Sequence, residues 1–122
     1  MIGGIVTNST SSAKRWYHRD GQGKKQHLTF IAVHTAHIGL VALVFREFDA
    51  VYFGCLSSYL MLSAVILLSA PLYLQRPLAL FLCATGLLLE SYLWGAPMEI
   101  AWFTPLLLLK LLVAHLPREE PY

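Results

Sequence analysis

Charge is missing from most of this chain. Residues 28–45 (LTFIAVHTAHIGLVALVF) contain no Lys, Arg, Asp or Glu, and neither do residues 50–75. Residues 77–98 contain Glu90 alone, and residues 100–117 contain Lys110 alone. Charged residues make up 13% of the sequence and hydrophobic residues 57%. A soluble domain carries about 25% charged and about 45–50% apolar residues. A water-soluble fold is therefore excluded for the greater part of the molecule. Each uncharged stretch is long enough to cross a hydrocarbon core about 30 Å thick as a helix.

Cysteine is scarce as well. Cys55 and Cys83 are the only two. They fall in different apolar stretches, toward opposite faces of the membrane. A disulfide needs Cα atoms within about 7 Å, so two free thiols are expected. No CxxC pair exists, which weighs against a thiol metal carrier or redox site, and no metal is expected. The first residues lack the apolar run and small-residue cleavage site of a signal peptide. Residues 7–19 (TNSTSSAKRWYHR) are Ser/Thr-rich, basic and acid-free, a composition shared with mitochondrial transit peptides. No repeat or low-complexity tract is present. No serine lies in a nucleophile motif with a base and an orienting group. Too little chain lies outside the apolar stretches to build a soluble catalytic domain. An enzyme is not expected, nor is a nucleic-acid partner.

The hydropathy pattern predicts an all-α integral membrane protein. Four transmembrane helices, at about 28–46, 50–72, 77–95 and 98–116, form an antiparallel up-down bundle. A basic, polar extension (1–27) precedes them and a short tail (118–122) follows. The turns Arg46–Asp49, Leu74–Pro77 and Gly95–Pro97 are short enough to make consecutive helices neighbours. Pro77 is expected to open the third span, Pro97 to open the fourth, and Pro105 to bend it. Trp94, Trp102, Phe48, Tyr52 and Tyr73 lie near span ends, as interfacial aromatics do. Lys14, Arg15, Arg19, Lys24, Lys25, Arg76 and Arg118 fall on one side of a four-span topology, and Arg46 alone on the other. The positive-inside rule then puts both termini in the cytoplasm or the matrix. A bacterial cytoplasmic or mitochondrial inner membrane is the expected location.

Small residues allow helix backbones to approach closely in lipid. They predict contact faces at Ala32, Thr35, Ala36, Gly39 and Ala42 in the first span. Ala50, Gly54, Ser57, Ser58 and Ala64 form a second such face. Ala79, Cys83 and Gly86 form a third, and Glu90 continues it. In the extension, Ser12 to His18 suit a short interfacial helix. Trp16 and Tyr17 would enter the headgroups, and Lys14, Arg15 and Arg19 would meet anionic lipid. A tail with Gly3, Gly4, Gly21 and Gly23 is expected to be ordered only where something ties it down. An acidic protein partner or anionic headgroups are the expected anchors.

Ionisable residues inside a span are costly and mark candidate sites. There are four: His34, His37, Glu90 and Lys110. Counting about 1.5 Å of rise per residue puts His34 and Lys110 at about the same depth, with His37 about 5 Å and Glu90 about 11 Å deeper. His34 and Lys110 are therefore expected to meet, and His37 to approach Glu90. Glu90 with His37 would make a proton or cation site, or Glu90 would fix a helix contact. His34 and His37 could ligate a haem or chlorophyll, or serve as hydrogen-bonded packing residues. No cofactor is the expected state. Lys110 is expected to extend its ammonium toward the headgroups or to meet a partner. Lys14, Arg15, Trp16, Arg19, Lys24, Lys25 and Lys110 are the expected partner or lipid contacts. Glu99, Glu119 and Glu120 are expected to be solvated.

Three functions fit these readings. The expected one is a non-catalytic accessory, structural subunit that stabilises a larger integral membrane complex, with an energy-transducing membrane as the expected setting. A small oligomeric proton-coupled transporter using Glu90 is the second, and a haem- or pigment-ligating subunit is the third.

Overall fold

A computed structural model describes residues 1–119; Glu120 and residues 121–122, part of the expected tail, lie outside the described residues. The described chain is helical and contains no strand. Four helical segments are long and apolar enough to cross a membrane: Lys24–Val44, Ala50–Ser69, Leu72–Trp94 and Met98–His115.

The extension is not a free arm. It folds into α1 (Ile2–Asn8) and α2 (Ser11–Tyr17). Thr10 caps α2 by accepting from the Ala13 N–H at 3.2 Å, which satisfies a donor that a short helix otherwise leaves open. α1 packs on the last span, where Gly4 lies over the Lys110 stem. A Cβ at Gly4 would come 2.8 Å from Lys110 Cε, so a larger residue there would push the lysine stem aside. The anchor of the tail is thus its own fourth span.

α3 (Lys24–Val44) begins one turn before the apolar run, because Gly23 caps it and donates its N–H to Gln26 Oε1 at 3.0 Å. α4 (Ala50–Ser69) is capped by Asp49, whose Oδ1 accepts from the Tyr52 N–H at 2.8 Å. α5 (Leu72–Leu89) starts behind Pro71, so the third span opens earlier than expected and Pro77 lies inside it. Pro77 is exposed and lies past the first turn, so it removes one intrahelical hydrogen bond, to the Tyr73 carbonyl. α5 then widens into a π-turn at Glu90–Trp94, closed by Gly95 N–H donating to the Glu90 carbonyl at 2.7 Å.

The fourth segment is broken. A 3₁₀ turn (Met98–Ile100) leads into α6 (Phe103–Leu108), which passes into a π-helical stretch (Leu109–His115). Pro105 lies in the first turn of α6, where a lost backbone donor costs little.

The core contains Ile31, Ile38, Leu56, Leu60, Ala79, Leu107, Leu108 and Leu111, drawn from all four segments. Large apolar side chains such as Leu40, Val51, Leu62, Phe81 and Leu88 point outward and are exposed. That pattern suits hydrocarbon and not water. The third small-residue face is buried, with Ala79, Cys83, Gly86 and Glu90 all inside. The first two faces are buried only in part, through Ala42 and Ala64. Ala32, Ala36, Ala50, Gly54 and Ser58 are exposed, and α3 instead buries His27, Ile31, His34, Ile38, Val41 and Ala42.

Candidate functional site

Two polar clusters lie at opposite ends of the helices. The first gathers all five histidines into one aromatic line. His18 stacks on His27 at 4.4 Å between ring centroids, and His27 meets His115 edge-on at 5.4 Å. Phe30 stacks on His115 at 4.2 Å and lies tilted against His34 at 4.6 Å, and His34 stacks on His37 at 5.3 Å. Tyr17 closes the line edge-on to His115, with 4.5 Å between ring centroids, so it turns inward instead of entering the headgroups. His27 and His34 share a face of α3 because they are seven residues, about two turns, apart. His115 reaches them from the end of the last span.

Within the cluster His27 Nδ1 lies 3.4 Å from His115 Nε2, and His18 Nε2 donates to the His115 carbonyl at 3.2 Å. Among the described residues, His18 Nδ1, His27 Nε2 and His115 Nδ1 are buried without a hydrogen-bond partner. Burial holds His18 down at about 4, and His27, Lys14 and Arg118 add repulsion against a charged ring. Lys14 is also buried. Its ammonium donates to the Pro117 carbonyl at 2.7 Å, and burial lowers it to about 8. Lys14 was expected at headgroups and instead ties α2 to the end of the last span. Arg15 is exposed, Trp16 is 62% exposed, and Arg19 covers the Trp16 ring at 3.8 Å. Lys24 and Lys25 are exposed at the start of α3, with Lys24 reaching Ser69 Oγ at 3.4 Å.

His34 and Lys110 meet. Lys110 Nζ lies 3.1 Å from His34 Nε2, and His34 Nδ1 lies 2.8 Å from the Phe30 carbonyl. The carbonyl can only accept, so Nδ1 carries the proton and Nε2 accepts from the ammonium. Both ring nitrogens are used, and the Lys110 stem lies under Gly4 instead of reaching for headgroups.

The second cluster surrounds Glu90. Thr104 Oγ1 donates to Glu90 Oε1 at 2.6 Å, and the Tyr52 hydroxyl lies 3.3 Å from Thr104 Oγ1. All three residues are buried. His37 is exposed and stacks on His34, so the structure does not bring it to Glu90. The depth count began the third span at Pro77, whereas the helix begins at Leu72, which carries Glu90 farther along the span than the count allowed. Arg46 closes this end. Its guanidinium donates to Asp49 Oδ2 at 3.2 Å, to the Gly95 carbonyl at 2.8 Å and to the Trp94 carbonyl at 3.4 Å, and lies 4.1 Å over the Tyr52 ring. The Asp49 carboxyl is held below its ordinary range by the Tyr52 N–H and then by Arg46. Arg46 thus joins the α3–α4 turn to the α5–α6 turn.

Sequence reading missed the grouping of His18, His27 and His115 and the clasp made by Arg46. The seven-residue spacing of His27 and His34 was a usable signal for the first. Glu119 is exposed, as expected, and accepts from Arg76 at 3.1 Å and from Ser11 Oγ at 3.2 Å. Cys55 is exposed and Cys83 buried, and neither is in a disulfide. Among the described residues, no group of three or more His, Cys, Asp or Glu side chains is set to hold a metal ion. The chain belongs to the class of all-helical proteins with four helices fit to cross a membrane. No known family, curated protein or solved structure matches it.

Proposed function

We propose that this chain is a non-catalytic subunit that packs against other integral membrane proteins in a larger complex. In this reading the four helices form an antiparallel up-down bundle with both termini on the cytoplasmic or matrix side. One observation carries the reading. Ala32 and Ala36 of α3 and Ala50, Gly54 and Ser58 of α4 face outward, and a Cβ at Gly54 would have nothing within 4 Å. Small residues on an outer helix face are what a second helix needs to approach closely in lipid. Glu90, His34 and Lys110, by contrast, are engaged in contacts between the chain's own helices. Extraction in a gentle detergent tests the reading. Co-migration with larger, unrelated membrane subunits is expected, and Gly54→Leu should weaken it. A lone homo-oligomer would overturn it.

A proton-coupled carrier is the second reading. The observation in its favour is the buried Glu90–Thr104–Tyr52 hydrogen-bonded chain at a π-turn, a helix defect frequent at functional sites. Reconstituted vesicles would decide it, since a carrier moves protons and Glu90→Gln would stop it.

A further inference from the structure

The end of the molecule that carries the termini has a groove of about 250 Å³ between α2, α5 and the last span. Lys14, Arg76 and Glu119 line its mouth, and Ala79, Leu80 and Val113 line its floor. The Glu119 carboxylate uses both oxygens there. Oε1 accepts from Arg76 and Oε2 from Ser11, and Glu119 also attracts the Lys14 ammonium. The carboxylate therefore marks a place that can hold an oxyanion: one guanidinium and one hydroxyl converge on it, and the Lys14 ammonium lines the same groove while donating to the Pro117 carbonyl. The floor is apolar and belongs to membrane-crossing segments, and Leu80 is 57% exposed along it.

We propose that this groove seats one anionic phospholipid, with its phosphate between Arg76, Ser11 and Lys14. Glu119 occupies the phosphate position when the lipid is absent. The apolar floor favours a lipid over free phosphate, because an acyl chain can lie along Leu80 and Val113 while the phosphate stays at the mouth. Basic pockets between membrane helices bind headgroups for this reason. The tail carboxylate is then a competitor of the lipid. The proposal stands apart from the subunit reading, since a lipid seat is open to a lone protein and to a member of a complex alike.

Native mass spectrometry of the full chain, extracted in mild detergent with equal phosphatidylglycerol and phosphatidylcholine, tests this. One phosphatidylglycerol should be retained in preference to phosphatidylcholine. Arg76→Gln should lower its retention about tenfold, the effect of one hydrogen bond to a charged group. The Arg76 side chain is 56% exposed, so the variant should keep the fold. Glu119→Gln should raise retention, because the competing charge is gone. Lys24→Gln with Lys25→Gln, at the same end but outside the groove, should change it by about twofold or less, since surface charges act only through the screened field. Equal retention of the two lipids would overturn the proposal, as would an unchanged Arg76→Gln. Loss of lipid in the Lys24/Lys25 pair as great as in Arg76→Gln would reduce the effect to diffuse attraction. A fall in Glu119→Gln would mean that Glu119 builds the site instead of competing for it. Displacement by inorganic phosphate at the lipid's own concentration would assign the groove to free phosphate.

Discussion

Lys110 Nζ and His34 Nε2 are 3.1 Å apart, and this pair joins the last span to the first beneath the α1 helix. Lys110→Met keeps most of the stem but removes the donor. It should destabilise the protein by about 1–3 kcal/mol, because a half-buried ring nitrogen loses its partner. Lys110→Gln retains a donor on a shorter stem and should lose less. Unfolding in detergent measures both. A Met variant as stable as the parent would show that the contact contributes nothing. The same geometry bears on haem: iron would have to displace Lys110 from Nε2, so the purified protein should show no Soret band.

Gly86 sets the closeness of α5 to its neighbours. A Cβ there would come 2.6 Å from Leu108 Cδ1 and 2.8 Å from Tyr59 Cε1, and the Tyr59 hydroxyl donates to the Leu82 carbonyl at 2.5 Å on the same face. Gly86→Val should therefore cost about 1–3 kcal/mol by overpacking. Gly54→Val, where nothing lies near, should leave the isolated protein's stability close to that of the parent. Equal losses at both positions would mean that the α5 contact is not specially tight.

The spans were legible because hydropathy over about twenty residues is a strong signal. The Glu90 face was legible for a related reason: Ala79, Cys83, Gly86 and Glu90 fall on one side of a regular helix. The partner of Glu90 was not. Thr104 lies beyond a broken segment, and the π-turns at Glu90 and Leu109 shift the phase on which depth counting depends. Small residues on α3 and α4 misled for another reason. They say that a backbone can be approached, not which helix approaches it. The docking of α1 was invisible too, since it rests on Gly4 meeting one lysine stem about a hundred residues away in sequence.

The docked N-terminal arm should depend on pH. His18 is held at about 4, below its ordinary 6.5, because the docked arm buries the neutral ring. Docking draws full stability from this group above about pH 6.5 and loses it as pH falls toward 4. Lys14, lowered to about 8 from 10.5, acts in the same direction. Its contribution is full only above about pH 10.5 and is gone by about pH 8. Below neutral pH the loosening of the arm therefore comes from His18. Hydrogen exchange at residues 11–18 should quicken as pH drops from 7 to 4.5, after correction for intrinsic rates. His18→Gln should flatten the lower part of that profile. A profile that is flat in the parent would show that burial of His18 does not govern docking.

Glu90 separates packing from proton chemistry. Its Oε1 accepts from Thr104, which in turn lies within reach of Tyr52, and both partners are buried. Glu90→Gln keeps an acceptor of the same shape, so packing should survive and stability should change by less than about 1 kcal/mol. Glu90→Leu removes the acceptor and strands the Thr104 hydroxyl, which should cost about 1–3 kcal/mol. Thr104→Val together with Tyr52→Phe in the Leu background should then recover part of the loss, because no hydroxyl of the Glu90–Thr104–Tyr52 chain is left unpaired. That recovery is the mark of a helix contact: the pair matters as a pair, and charge on Glu90 does not. The opposite pattern, a stable and assembled Gln variant that has lost a pH-dependent activity, would move Glu90 from packing to proton transfer.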